Sequence, residues 1–229
     1  ASDVYKRQIM GIDSLSTPLH QAVKKLCEGP DGLYYALLFQ GGITCFDKDI
    51  EKFLPVRFDK PLELKDILDF CWNDGSLYLV TSQGLFESRI VRKTEGKHDF
   101  VLCLLNPEPL VRGKVAHLCS DGKTNLYFSV NQRKVVHYDL VAKKTSLIKE
   151  YSVVNRLFLK HGYLWICRLW DDIICYDLKT NEERVISMEG KDQSEFSNSY
   201  VTDLVLKDNR TFYLTTWNGL YKFCLLYTS

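Results

Sequence analysis

Short apolar segments alternate with polar turns along most of this chain, and one arrangement of them recurs. It is clearest between Val201 and Phe223, where an apolar strand meets an Asp-Asn turn. A second strand follows from Phe212, and a Trp-Asn-Gly turn leads to a third strand at Leu220. Asp, Asn and Gly tolerate the tight backbone of hairpin turns. The pattern therefore predicts strands joined by short hairpins.

Four earlier copies align with this one, and they begin near residues 23, 67, 115, 154 and 201 when the last is included. In each copy the second strand opens with an apolar-aromatic pair. The pairs are Leu33-Tyr34, Leu77-Tyr78, Leu126-Tyr127, Leu164-Trp165 and Phe212-Tyr213. They recur about every 40–50 residues, the period of a four-stranded β-propeller blade. The sequence predicts an all-β fold, a β-propeller fragment of about five antiparallel four-stranded blades from a larger seven- or eight-bladed propeller.

The second strands support stacked blades rather than an open sheet. Residues 77–80 and 164–167 are apolar at every position, whereas a strand with one wet face would alternate. A fourth, outer strand is predicted around Thr145–Ile148 and Arg184–Ile186. A β-sandwich is the alternative architecture, but its strands would not repeat over such distances.

Both ends of the chain read as one DNA element translated in opposite orientations. A coding sequence for Asp3–Gln8, read on the complementary strand, encodes Cys224–Ser229, and it resembles a transposon-end sequencing adaptor. We therefore expect residues 1–8 and 224–229 to be non-native. Residues 9–223 are then an internal propeller fragment of a longer gene.

Composition excludes several classes of partner. The chain is 45% hydrophobic and 13% aromatic, enough for a core, and its formal net charge is +1. The chain has no excess of basic residues, which would have indicated a nucleic-acid partner. No segment of the sequence is long and apolar enough for a membrane helix. No cofactor is predicted.

The cysteines follow the repeat instead of a metal-binding spacing. Cys27, Cys71 and Cys119 share one repeat position with Phe158 and Val205, which is typical of packing residues. No Cys-x-x-Cys pair, zinc-protease helix motif or nucleophile elbow occurs. We expect buried thiols without disulfides, no metal site and no catalytic residue.

The last copy resembles the two-component regulator propeller repeat, in which an apolar strand and an acidic-Gly turn precede Leu-Trp-Ile-Gly-Thr and a Gly-Leu close. Leu77–Thr81 with Gly84-Leu85 also fit. The middle copies depart, because Val130 and Arg168 replace the usual Thr. The resemblance implies the periplasmic sensor of a membrane-anchored hybrid histidine kinase that detects glycan-derived or other extracellular ligands.

That resemblance also implies partners: a small ligand such as an oligosaccharide, the missing blades and the downstream domains of the parent, and a homodimer of the parent. Two other functions stay open. One is a scaffold propeller that binds proteins, with a cytoplasmic location as an alternative. The other is a propeller enzyme acting on carbohydrate.

Ligand contacts are expected on turns between second and third strands, because loops on a rigid scaffold carry function. Trp170, Asp171 and Asp172 lie on one such turn, and Trp217 and Asn218 lie on the corresponding turn of the last copy. The aromatic rings could stack on sugar rings while the carboxylates and amide bond their hydroxyls. The alternative is that both tryptophans pack between blades.

Overall fold

The computed structural model describes residues 23–39, 42–47, 51–58, 67–92, 100–169, 171–186, 200–208, 211–217 and 219–224. These residues form twenty β-strands and no helix. Within them, no helix is long and apolar enough to cross a membrane. The predicted all-β class and β-propeller fold are confirmed. The chain divides into two compact units: Ala1–Ile67 with Arg89–Leu104, and Leu68–Ser88 with Leu105–Ser229.

The first unit contains the first repeat copy. Its strands are β1 (Val23–Glu28), β2 (Tyr34–Leu38), β3 (Ile43–Asp47), β4 (Lys52–Phe58) and β8 (Phe100–Leu104). β1 to β4 pair antiparallel in chain order, but β8 joins β4 in parallel, with Val56 opposite Phe100. The sequence predicted only antiparallel pairs. Parallel pairing needs a long connection, which the residues between β4 and β8 provide.

The second unit contains the other four copies. Apart from Ile67 and residues 89–92, which belong to the first unit, it contains these strands: β5 (Ile67–Asn73), β6 (Ser76–Thr81), β7 (Gly84–Arg92), β9 (Val111–Arg112), β10 (Val115–Ser120), β11 (Asn125–Val130), β12 (Lys134–Asp139), β13 (Lys144–Glu150), β14 (Val154–Lys160), β15 (Tyr163–Arg168), β16 (Ile173–Asp177), β17 (Glu183–Ile186), β18 (Val201–Leu206), β19 (Thr211–Thr216) and β20 (Gly219–Cys224). β10–β13, β14–β17 and β18–β20 are separate antiparallel sheets in chain order. The predicted outer strands are present as β13 and β17.

The register of these sheets tests the alignment of the copies. Leu77, Leu126, Leu164 and Phe212 each lie opposite the equivalent residue of the third strand: Ser88, Tyr138, Tyr176 and Phe223. In the first copy the prediction is wrong by one residue. Tyr34, not Leu33, lies opposite Phe46. Leu33 belongs to the preceding turn, where its carbonyl accepts a 2.8 Å hydrogen bond from the Gly29 N–H.

The core of the second unit lies between successive sheets. Each of three apolar clusters joins one sheet to the next along the chain. Trp165 of β15, for example, is buried against Phe212 of β19, with ring centroids 4.9 Å apart. Sheets packed on both faces need second strands that are apolar on both sides, which explains the uninterrupted apolar segments.

Acidic residues after the third strands close turns. Asp139 accepts hydrogen bonds from the N–H groups of Val141 and Ala142, and Asp177 does the same for Lys179 and Thr180. The short side chain satisfies backbone donors that the turn leaves unpaired. These recurring aspartates therefore have a structural role.

Glu183 of β17 links the β14–β17 sheet to the β10–β13 sheet through hydrogen bonds. Its carboxylate accepts hydrogen bonds from the Lys149 ammonium and the Tyr151 hydroxyl. Burial acts to raise the pKa of Glu183, but these hydrogen bonds outweigh it, and the pKa lies below its ordinary value. Burial and the Glu183 contact raise the pKa of Tyr151.

The cysteine prediction is confirmed in part. The seven cysteines whose side chains the structure describes form no disulfide. Cys71 is buried as expected, but Cys27 and Cys119 are only half-buried. Burial raises the pKa of the Cys167 thiol strongly and that of Cys175 to about 11. The latter two thiols are protonated near neutral pH and unsuited to nucleophilic chemistry.

Candidate functional site

The two turns singled out from the sequence connect β15 to β16 and β19 to β20. Asp171, Asp172 and Trp217 are described, whereas Trp170 and Asn218 lie outside the described residues. Both turns join a second strand to a third strand and so occupy equivalent ends of successive sheets. The candidate site is built from the three described side chains and their neighbours.

Asp171 is held by polar contacts. Its carboxylate lies 2.6 Å from the Arg168 guanidinium and accepts a 3.3 Å hydrogen bond from the Ser152 hydroxyl. The Arg168 Nε also donates to the backbone carbonyl of Asp172 at 3.3 Å. These contacts hold Arg168 against Asp171 and Asp172. No described residue donates a hydrogen bond to the Asp172 carboxylate, which therefore keeps its acceptors for another group.

Trp217 presents its ring to solvent. The residue is 74% exposed, and its ring stacks on Tyr200, with centroids 4.7 Å apart and planes 21° apart. The backbone N–H of Trp217 donates a 3.2 Å hydrogen bond to the carbonyl of Tyr200, so the backbones of the two residues are also held together. Trp217 does not pack between blades. An exposed ring held by a second ring is a rigid, flat apolar surface.

Backbone hydrogen bonds show which turn positions are equivalent. The Trp217 N–H bonds the carbonyl of Tyr200, just before β18, and the Leu169 N–H likewise bonds Val153, just before β14. Leu169 is therefore the counterpart of Trp217. Trp170 comes one position after Leu169 in the sequence. The two tryptophans therefore belong to equivalent turns but do not occupy equivalent positions in them. The sequence predicted the turn correctly and did not resolve this offset.

Sequence reasoning missed Tyr200. It precedes the first strand of the last copy, in a region that reads as a polar loop, and nothing in the sequence pairs it with a turn seventeen residues later. The only signal in the sequence is that Tyr200 is an aromatic residue directly before the start of β18 at Val201. A second exposed aromatic residue, Phe39, follows β2 at the turn of the first copy.

A polar row crosses the β10–β13 sheet. His137 Nε2 lies 2.6 Å from Asn125 Oδ1, His137 Nδ1 lies 3.2 Å from Ser146 Oγ, and the imidazole stacks on Tyr127. A serine and a histidine also occur together in hydrolytic sites, but with a carboxylate and not an amide as the third group. Here register alone accounts for the row, because Tyr127, His137 and Ser146 are direct cross-strand neighbours. The row therefore does not indicate catalysis.

Across the described ranges, no group of three or more His, Cys, Asp or Glu side chains lies close enough to hold an ion. The polar groups of the candidate site are instead the Asp171 and Asp172 carboxylates on one turn, and the Tyr200–Trp217 ring pair lies at the equivalent end of the next sheet. Such groups suit a neutral, polyhydroxylated ligand that offers apolar C–H faces and hydroxyl donors.

No protein-family model and no curated protein matches the sequence. Solved structures do resemble the fold. The extracellular domain of BT4673 from B. thetaiotaomicron, a protein assigned to the hybrid two-component systems, matches with a TM-score of 0.65 and 13% identity over 90% of this chain. The corresponding domain of BT3049 matches with a TM-score of 0.52 and 14% identity, also over 90%.

The fold is shared with proteins of other roles. A chain of the Mitotic Checkpoint Complex matches with a TM-score of 0.61 and 16% identity, covering 90% of this chain and 63% of that one. This chain spans 29% of the BT4673 domain and 34% of the BT3049 domain. At these identities the likeness establishes the β-propeller fold.

Proposed function

We propose that this chain is part of the ligand-sensing propeller of a bacterial hybrid two-component receptor. The supporting observation is the likeness to the extracellular domains of BT4673 and BT3049, together with the two-component regulator pattern of the last repeat. The propeller then lies in the periplasm of a membrane-anchored parent. It has no catalytic role of its own, because the kinase activity belongs to another domain of the parent.

The ligand we propose is an oligosaccharide. The Trp217 ring, exposed and held by Tyr200, can stack on the C–H face of a sugar. The carboxylates of Asp171 and Asp172 and the amide of Asn218, on the same two turns, supply acceptors for hydroxyl groups, and Trp170 supplies a second ring for stacking. Stacking and hydroxyl recognition together define a carbohydrate subsite.

Further parts of the same protein complete the receptor. We propose that additional blades close the propeller and that downstream domains carry the signal, with homodimerisation of the parent as the signalling arrangement. A scaffold function is the second candidate. The likeness to a chain of the Mitotic Checkpoint Complex favours it, because that chain is part of a protein complex.

Carbohydrate binding can be tested on the full chain. An oligosaccharide array identifies a ligand, and calorimetry then compares the chain with Trp217→Ala and Trp217→Phe variants. We expect roughly tenfold weaker binding for Ala, about 1.4 kcal/mol, and near-normal binding for Phe. Val141→Ala, at another exposed position, is the matched control. If the Trp217→Ala variant binds the sugar with unchanged affinity, this site assignment is rejected. If the chain binds only peptides, the scaffold function is favoured.

A further inference from the structure

Two adjacent polar residues of β14, Asn155 and Arg156, face the junction between the β14–β17 and β18–β20 sheets. Arg156 lies opposite Cys167 of β15, and residues that lie opposite each other in an antiparallel pair share a face of the sheet. Cys167 belongs to the apolar cluster that joins this sheet to β18–β20. Asn155 is the extra residue of a bulge between Val154 and Arg156, and its amide donates a 3.0 Å hydrogen bond to the Val201 carbonyl. Both side chains therefore point towards β18.

Polar atoms without a hydrogen-bond partner are concentrated at this junction. Asn155 is only 3% exposed, and its Oδ1 has no partner among the described residues. The same is true of the buried Nε of Arg156 and the buried Nε1 of Trp165. Trp165 belongs to the same cluster as Cys167 and so to the same face of β15. Such atoms are rare in native proteins because each one costs stability, so three on one face indicate a binding site for a polar group.

The orientation of the Asn155 amide follows from its one hydrogen bond. The Val201 carbonyl can only accept, so the atom that faces it is the Nδ2 donor. The other amide atom, Oδ1, can only accept, whereas the Arg156 guanidinium can only donate. The two residues therefore offer an acceptor and charged donors side by side. This arrangement suits a carboxylate with a neighbouring hydroxyl group.

The Arg156 guanidinium has no counter-charge among the described residues, whose ion pairs involve other lysines and arginines. The Cys167 thiol opposite it stays neutral near pH 7, because burial raises its pKa strongly. Asp203 of β18 lies opposite Thr215 on the other face of its sheet, and its carboxylate accepts the N–H of Leu204. Because a guanidinium stays protonated in proteins, its charge is available to an anion.

The equivalent position of β5 shows that packing alone does not explain Arg156. Asp69 there accepts the N–H of Leu118, on the next sheet, at 2.8 Å. Arginine has no acceptor and cannot make this contact. At the β14 position the hydrogen bond to the next sheet comes instead from the neighbouring Asn155 amide. The guanidinium is therefore left without a structural partner among the described residues.

We propose that Asn155 and Arg156 form a binding site for a small hydroxycarboxylate. The carboxylate accepts hydrogen bonds from the Arg156 guanidinium, and the hydroxyl group of the same molecule donates to Asn155 Oδ1. Arg156 is only half-buried, so a solute can reach the residue from solvent. The site is separate from the Tyr200–Trp217 ring pair, and the proposal does not depend on the oligosaccharide proposed above.

Binding is measured on the full chain by heteronuclear NMR, at neutral pH and in a buffer without carboxylates. Three matched probes are titrated. Lactate carries both groups, propionate lacks the hydroxyl, and propane-1,2-diol lacks the carboxylate. The indole N–H signal of Trp165, assigned as the one that disappears in Trp165→Phe, reports on the junction.

Two variants test the guanidinium. Arg156→Met removes the charge and keeps an apolar stem, whereas Arg156→Lys keeps the charge and loses the planar set of donors. Arg133→Met, at an exposed turn position, is the matched control. Circular dichroism shows whether each variant is folded, and Arg156→Lys carries the test if Arg156→Met is not.

We expect lactate to shift the Trp165 signal with saturation, propionate to bind about tenfold more weakly, and the diol to give no saturable shift. Arg156→Met should lose lactate binding, Arg156→Lys should weaken it about tenfold, and Arg133→Met should leave it unchanged. The absence of a saturable shift with lactate, or equal binding of the diol, overturns the proposal. Equal binding of propionate overturns the role of Asn155 Oδ1. Unchanged lactate binding by a folded Arg156 variant overturns the role of the guanidinium.

Discussion

Asp69 is expected to be a residue on which the stability of the second unit depends. Its carboxylate is buried and accepts two backbone hydrogen bonds, one from Phe70 and one from Leu118 on the next sheet. Asp69→Ala removes both acceptors at once. Because the Asp69 residue is only 5% exposed, water does not readily replace them.

The magnitude follows from the number of donors affected. A buried donor that loses its partner costs about 1–3 kcal/mol, so two donors give a loss of roughly 2–6 kcal/mol. Natural domains have a total free energy of unfolding of about 5–15 kcal/mol. Asp69→Asn retains one acceptor oxygen, and it should lose less than Asp69→Ala.

Urea unfolding followed by far-ultraviolet circular dichroism measures this loss. Asp203→Ala is the matched control, because Asp203 occupies the equivalent position, is exposed and accepts only the N–H of Leu204. Its free energy of unfolding should change by less than about 1 kcal/mol. Equal losses at the two positions would refute the argument that the bond between sheets is what makes Asp69 important.

Three further predictions concern packing, backbone and charge. Trp165→Ala should lower the free energy of unfolding by about 3–5 kcal/mol, measured by urea titration, because the ring is fully buried. Gly84→Ala should cost about 1–3 kcal/mol or more, with Gly75→Ala as a comparison, because a Cβ at Gly84 would lie 2.0 Å from the Val111 carbonyl oxygen. Glu183 has a lowered pKa, so its stabilising contribution is present above its ordinary pKa and is lost as pH falls through the lowered value. Thermal melts from pH 7 to 3 should therefore show a weaker acid dependence for Glu183→Gln.

The candidate site was only partly predictable. The turn residues Asp171, Asp172 and Trp217 stood out because turn chemistry and repeat position can both be read locally. The contact of Tyr200 with Trp217 could not be predicted, because it joins the residue before β18 to the turn after β19, seventeen positions later in the sequence. The hydrogen bond from Leu118 to Asp69 was likewise invisible, since it joins residues on different sheets.

The sequence by itself determined the all-β class, the blade period and the start of each first strand, because alternation, turn residues and repeat spacing are local properties of the chain. Only the tertiary structure decided that β8 pairs with β4 in parallel, that the first copy is shifted by one residue at Tyr34, and that Cys27 and Cys119 remain half-buried. Tertiary structure also distinguishes Asp69 from Asp203, two aspartates in equivalent local sequences. Their difference arises from the neighbouring sheet, since burial and long-range hydrogen bonds depend on what packs against a strand.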